Sequence, residues 1–188
     1  MQRDNIENIA NQVLTKYVAK GGAYKQFEKI CADENILYKE IETDENKFCG
    51  VFTKYLNNQK YIIVNSKIDN EGRKNFTKAH ELGHYFLGHQ LKSHVDTNIN
   101  EECLNKEPVE YEADYFATCL LMPEEKVTSA VKSILYRVSK GSDSIPLYIT
   151  SRNYKTWAII NSELTKRYGV SETALRYRLS TLNLVKFQ

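Results

Sequence analysis

Apolar positions along the chain recur first at helical spacing. Ile6, Ile9, Val13, Leu14 and Tyr17 predict a helix over residues 4–19, ended by Gly21-Gly22. A second helix is expected over 23–34, with Phe27, Ile30 and Cys31 facing inward. The period then shortens. "ILYKEIE" alternates as a strand does, and "KFCGVFTKYL" and "KYIIVN" flank "NNQ" as the arms of a hairpin. The run from Tyr61 to Val64 is apolar enough to face a core on both sides. Helical spacing returns over 73–87, with Gly88 as the stop. A polar stretch covers 90–106, and Pro108 suits the first turn of a helix reaching Leu121. Val127, Val131, Ile134, Leu135 and Val138 mark another amphipathic helix after Pro123. Helices, a small antiparallel sheet, then more helices predict an α+β fold.

"KGSDS" offers a boundary, and the charge changes beyond it. Residues 152–188 carry seven Lys/Arg against two Asp/Glu, within a chain whose net charge is +2. The expected organisation is a body over 1–151 and a basic segment over 152–188. "NSELTKRYGVSETALRYRLSTLNLV" reads there as helix, glycine turn, helix. Gly169 makes the turn, Ser171 caps the second helix, and Leu164, Val170, Leu175, Leu179 and Leu182 pack together. The pattern is helix-turn-helix-like, with Arg176 and Arg178 as candidate nucleic-acid or partner contacts. A packing or protein-recognition role is preferred to DNA binding, and Trp157 is read as core.

The candidate chemistry lies in "KAHELGHYFLGH", which holds three of the four histidines. On a helix, positions i and i+4 lie about 40° apart, so His80 and His84 can aim two imidazole nitrogens at one ion. Glu81 can then reach a water on that ion without binding the metal. The ion lowers the water's pKa to about 7, and the glutamate takes its proton during attack on a carbonyl. Gly83 in mid-helix makes sense where another backbone or a substrate passes close.

A third ligand is needed. In "EPVEYEADYFATCLLMP", Val109, Ala113, Phe116, Ala117 and Leu120 form one stripe, with Glu110 and Glu112 on its edges. Asp114 favours Glu110: it follows by four residues on the same edge, where it can accept the outer N–H of a ligating histidine. Glu112 stays open as the alternative. His89 is read as structural or exposed, and nothing singles out His94. Two histidines and a carboxylate suit Zn2+, with Mn2+ as the other candidate.

"NFTKAHELGHYFLGH" and "EPVEYEADYFATCLLMP", with "YIIVN" ahead of them, resemble the ImmA/IrrE family of metallopeptidases. The resemblance covers residues 47–123 well and the last thirty more loosely. It implies a zincin-like fold with a gluzincin-like site, in which the two histidines and a downstream glutamate bind zinc. The family pattern E-x-x-A-[ND]-x-F-A falls on Glu110, Ala113, Asp114, Phe116 and Ala117, which favours Glu110. It also implies a target: a helix-turn-helix repressor of the phage or mobile-element type, cut and inactivated.

No apolar run is long enough for a membrane span, and the first residues lack the apolar core of a signal peptide. Cys31, Cys49, Cys103 and Cys119 are scattered, without a CxxC pair. A cytoplasmic protein with reduced thiols is expected. Three readings follow: a zinc endopeptidase, a DNA- or protein-binding regulator with a structural or regulatory zinc, and a defence or toxin–antitoxin-like component that binds a partner without cutting it.

Overall fold

A computed structural model describes residues 1–18, 22–44, 48–55, 57–89, 107–138, 145–151 and 153–187. The α+β order is as expected. Helix α1 (Arg3–Tyr17) buries Ile6, Ala10, Val13 and Tyr17. The helix expected over 23–34 begins as a 3-10 turn, Ala23–Gln26, and becomes α2 only over Phe27–Asp33. Gln26, at φ −105° and ψ 2°, interrupts the regular ladder between them.

Strands β1 (Ile36–Ile41), β2 (Gly50–Lys54) and β3 (Lys60–Asn65) form one sheet in the order β1-β3-β2. The β2–β3 hairpin is antiparallel, pairing Gly50 with Val64 and Lys54 with Lys60. The expected antiparallel sheet is nevertheless mixed, because β1 runs parallel to β3. The most apolar strand takes the centre, where both its edges are hydrogen-bonded, so β1 and β2 flank it instead of pairing with each other. The expectation that Tyr61–Val64 faces a core on both sides also fails. Ile62 and Val64 are fully buried, whereas Tyr61 and Ile63 on the other face are half-exposed. Among the described residues, helices cover the Ile62 and Val64 side only.

On that side α3 (Glu71–Phe86) packs against β2 and β3 and α2 packs against β1, while α4 (Pro108–Leu121) packs on α3. Asn70 caps α3 by accepting from the Arg73 amide at 2.9 Å, and Pro108 opens α4. Gly83 lets the two helices touch: a Cβ there would stand 3.1 Å from the Ala113 Cα. The close approach expected at this glycine is therefore made by the α4 backbone. Helix α5 (Glu124–Val138) completes the body, burying Val127, Ala130, Val131, Ile134 and Leu135.

Glu34 joins three helices at the far end of this layer. Its carboxylate accepts from Tyr17 of α1, from Tyr85 of α3 at 2.6 Å and from Lys16 at 3.0 Å. Burial pushes its pKa up, but these donors outweigh burial and hold it down to about 2. A depressed carboxyl stabilises the fold above its unfolded pKa, about 4.3, and that contribution is lost as pH falls from there through about 2. Glu34→Gln is expected to lose about 1–2 kcal/mol at pH 7. In urea unfolding, the gap from wild type should close between pH 5 and pH 2. A gap that stays constant with pH would mean that the charge is not its source.

Helices α6 (Tyr154–Tyr168) and α7 (Glu172–Thr181) meet at Gly169, with φ 62°, and Ser171 caps α7 by accepting from the Ala174 amide. This much of the basic segment is as expected. Trp157, Ile160, Leu164, Val170, Leu175 and Leu179 join the same core as Ile6, Leu120 and Val131. Two short strands had no signal in the sequence: β4 (Leu147–Ile149) and β5 (Val185–Phe187) pair in parallel. "KGSDS" and His94 lie outside the described residues.

Arg178 departs from its expected place on a recognition surface. It is fully buried, donating from Nε to the Met122 carbonyl and from Nη2 to Glu7, both at 3.0 Å. The cause is helical phase. Positions 174, 175, 178 and 179 share one face of α7, and that face is the one buried. Arg176 stays half-exposed, its guanidinium 3.9 Å from the Phe187 ring centroid.

Cys31 and Cys119 are buried thiols, and the buried Cys49 accepts from the Arg73 guanidinium at 3.1 Å. Cys103 is outside the described residues. Among the described residues, no helix is long and apolar enough to cross a membrane.

Candidate metal centre

The i, i+4 phase of α3 brings His80 and His84 onto one buried face, with 1% and 3% of their surfaces exposed. Their Nε2 atoms stand 3.0 Å apart. Glu110, in the first turn of α4, reaches both: Oε2 is 3.2 Å from His80 Nε2 and Oε1 is 3.5 Å from His84 Nε2. One donor atom from each of the three lies within 4.8 Å of the others. Two donors held about 2.0–2.1 Å from a zinc ion at a tetrahedral angle lie roughly 3.3 Å apart, and the observed spacings bracket that value.

Asp114 sets the state of His80. Its carboxylate is 2.9 Å from His80 Nδ1 and accepts the ring N–H there. The tautomer this selects leaves a lone pair on Nε2, aimed at His84 and at the Glu110 carboxylate. Lone pairs and an anion that converge repel unless a cation lies among them. Two imidazoles and one carboxylate are the donor set of a catalytic zinc with an open fourth position. The residues present therefore fit the ion.

Glu112 does not join this set. Two residues along a helix is a rotation of about 200°, so it leaves the triad for His89, whose Nε2 is 3.1 Å away, and for the terminal amine of Met1. His89 in turn places Nδ1 3.0 Å from His84 Nδ1. Sequence reasoning set His89 aside, yet a signal was present. Gly88, at φ 68°, is the left-handed residue of a Schellman cap. The His89 amide then bonds back to the His84 carbonyl at 3.1 Å, so the chain turns under the residue five positions earlier. Burial pushes the His89 pKa down to about 4, with the neighbouring His84 adding to the effect, so the ring is neutral at pH 7.

Glu81 is 1% exposed and lies against strand β2. A Cβ on Gly50 would stand 3.0 Å from its Oε1 and 2.7 Å from the Thr77 Cγ2. Glycine at position 50 thus lets the edge strand run directly past this carboxylate.

A family model, Peptidase M78, described as the IrrE N-terminal-like domain, matches residues 32–180. The chain belongs to this family. Membership supports a metallopeptidase- or regulator-related role for the IrrE-like chain. No curated protein matches the chain in sequence. Among solved structures, a Mycobacterium tuberculosis transcriptional regulator matches with a TM-score of 0.54 and 15% identity, over 94% of this chain and 47% of that one. At that identity the likeness shows the fold alone. The IrrE-like chain spans about half the length of that regulator.

Proposed function

We propose that the protein is a cytoplasmic zinc endopeptidase that cuts and inactivates a helix-turn-helix repressor, so derepressing its genes. The observation that carries this reading is the convergence of His80, His84 and Glu110 beside Glu81, next to an edge strand. His80, His84 and Glu110 would hold the ion, and Asp114 would keep His80 in its ligating tautomer. When bound, zinc supplies Lewis-acid polarisation of the scissile carbonyl and acidifies the attacking water.

The chain's own groups do the rest. An extended substrate segment adds to the outer edge of β2, which pairs only with β3 among the described residues. Its backbone then lies alongside Glu81. Glu81 takes a proton from the water as oxygen bonds to the carbonyl carbon. It returns that proton to the amine as the C–N bond breaks.

The test pairs the purified protein with helix-turn-helix repressors from its own genome, and reads the products by mass spectrometry. Two fragments are expected, abolished by a chelator and restored by added zinc. An intact repressor held in a stable complex would overturn the cleavage reading. It would favour the second one, a regulator that binds and does not cut. The burial of Arg178 counts against a DNA-reading version of it, because only Arg176 of the two candidate contacts remains exposed.

A further inference from the structure

His84 has an outer contact unlike that of His80. The Nδ1 of His80 meets a carboxylate, whereas the Nδ1 of His84 meets another imidazole. Two ring nitrogens 3.0 Å apart share one hydrogen, and its owner is decided one step further out. Glu112 lies 3.1 Å from His89 Nε2, and an ionised carboxylate only accepts. His89 Nε2 therefore carries a hydrogen. His84, as a ligand, turns the lone pair of Nε2 to the ion and carries its own hydrogen on Nδ1, so His84 Nδ1 donates and His89 Nδ1 accepts.

We propose that His89 is a positioning residue of the metal centre: it accepts the outer N–H of His84 and is itself aligned by Glu112. The two ligating histidines are thus oriented by two arms from opposite edges of α4, Asp114 directly and Glu112 through His89. The Schellman cap at Gly88 places the second arm, since it turns residue 89 beneath residue 84. Glu112, unused as a ligand, has this role instead.

The proposal rests on the reading of His80, His84 and Glu110 as a metal site. Its test uses zinc alone, measured by competition with a fluorescent chelator, together with the absorption spectrum of the cobalt-substituted protein. His89→Leu keeps the bulk and removes the acceptor. It should weaken zinc binding by about 10–100-fold and shift the cobalt bands. His89→Asn puts an amide oxygen close to the position of Nδ1, and should recover affinity to within about threefold of wild type. Zinc binding by His89→Leu that matches wild type, with an unchanged cobalt spectrum, would overturn the proposal. An Asn variant as weak as the Leu variant would do so too, since ring packing would then be the cause. Glu112→Ala leaves the cap intact and carries the test if His89→Leu does not fold. It should also weaken zinc, and unaltered affinity would count against the arm. Failure of the metal reading looks different: wild type itself would not bind zinc, or His80→Ala would bind it equally well.

Discussion

Glu81→Gln is expected to keep its zinc and lose repressor cleavage. The substitution is nearly isosteric, and the site argues for both halves of the outcome. Glu81 does not belong to the donor set formed by His80, His84 and Glu110, so the charge that holds the ion is untouched. The amide also fits the space that Gly50 leaves beside Oε1, and the packing of β2 on α3 should survive. What disappears is the proton acceptor. Positioned general bases contribute typically 10²–10⁴-fold, and the amide of glutamine cannot take a proton from water at neutral pH. A rate loss of about 10³-fold is therefore expected, with one zinc per chain by mass spectrometry and an unchanged melting temperature. Cleavage at the wild-type rate would remove Glu81 from the mechanism. A variant that also lost its metal would instead make Glu81 part of the ion's support.

How the site could be read from residue order follows from which contacts are local. His80, Glu81 and His84 lie within one helical turn or so, and the helix period alone puts them on a common face. Glu110 comes from a second helix, and its companion Asp114 was the clue. The same i, i+4 logic places both on one edge of α4, and both do reach the histidines. His89 was missed because a periodic reading stops at the helix end. The cap at Gly88 is not periodic, and it returns the chain to a residue already counted. The parallel entry of β1 was not legible either, because pairing order depends on which strand wins the centre. Strands β4 and β5 span three residues each, too few for an alternation to register.

Arg178 shows the opposite failure, a local pattern read with the wrong weight, and it carries the second large expectation. A basic residue near the end of a helix-turn-helix-like segment suggested a surface contact. Yet Ala174, Leu175 and Leu179 already marked that face of α7 as apolar, and position 178 lies between Ala174 and Leu175 in phase. An arginine in such a stripe must be satisfied inside, and this one links α7 to α1 through Glu7 and to the end of α4 through the Met122 carbonyl. Arg178→Met should therefore cost about 3 kcal/mol in urea unfolding, the lower end for breaking a buried pair. The lower end applies because the Glu7 side chain is 21% exposed, so water can partly solvate its stranded charge. Replacing Glu7 with Gln in the same chain should recover part of the loss, since no buried charge is then left alone. Arg176→Ala, on the exposed face, should cost no more than about 1 kcal/mol, the worth of its contact with Phe187. If Arg178→Met were as mild as Arg176→Ala, the C-terminal helices would not be braced through this pair. The contrast also governs any test of nucleic-acid binding. A loss of affinity in an Arg178 variant would report a loosened fold, so Arg176→Ala is the substitution that can speak to recognition.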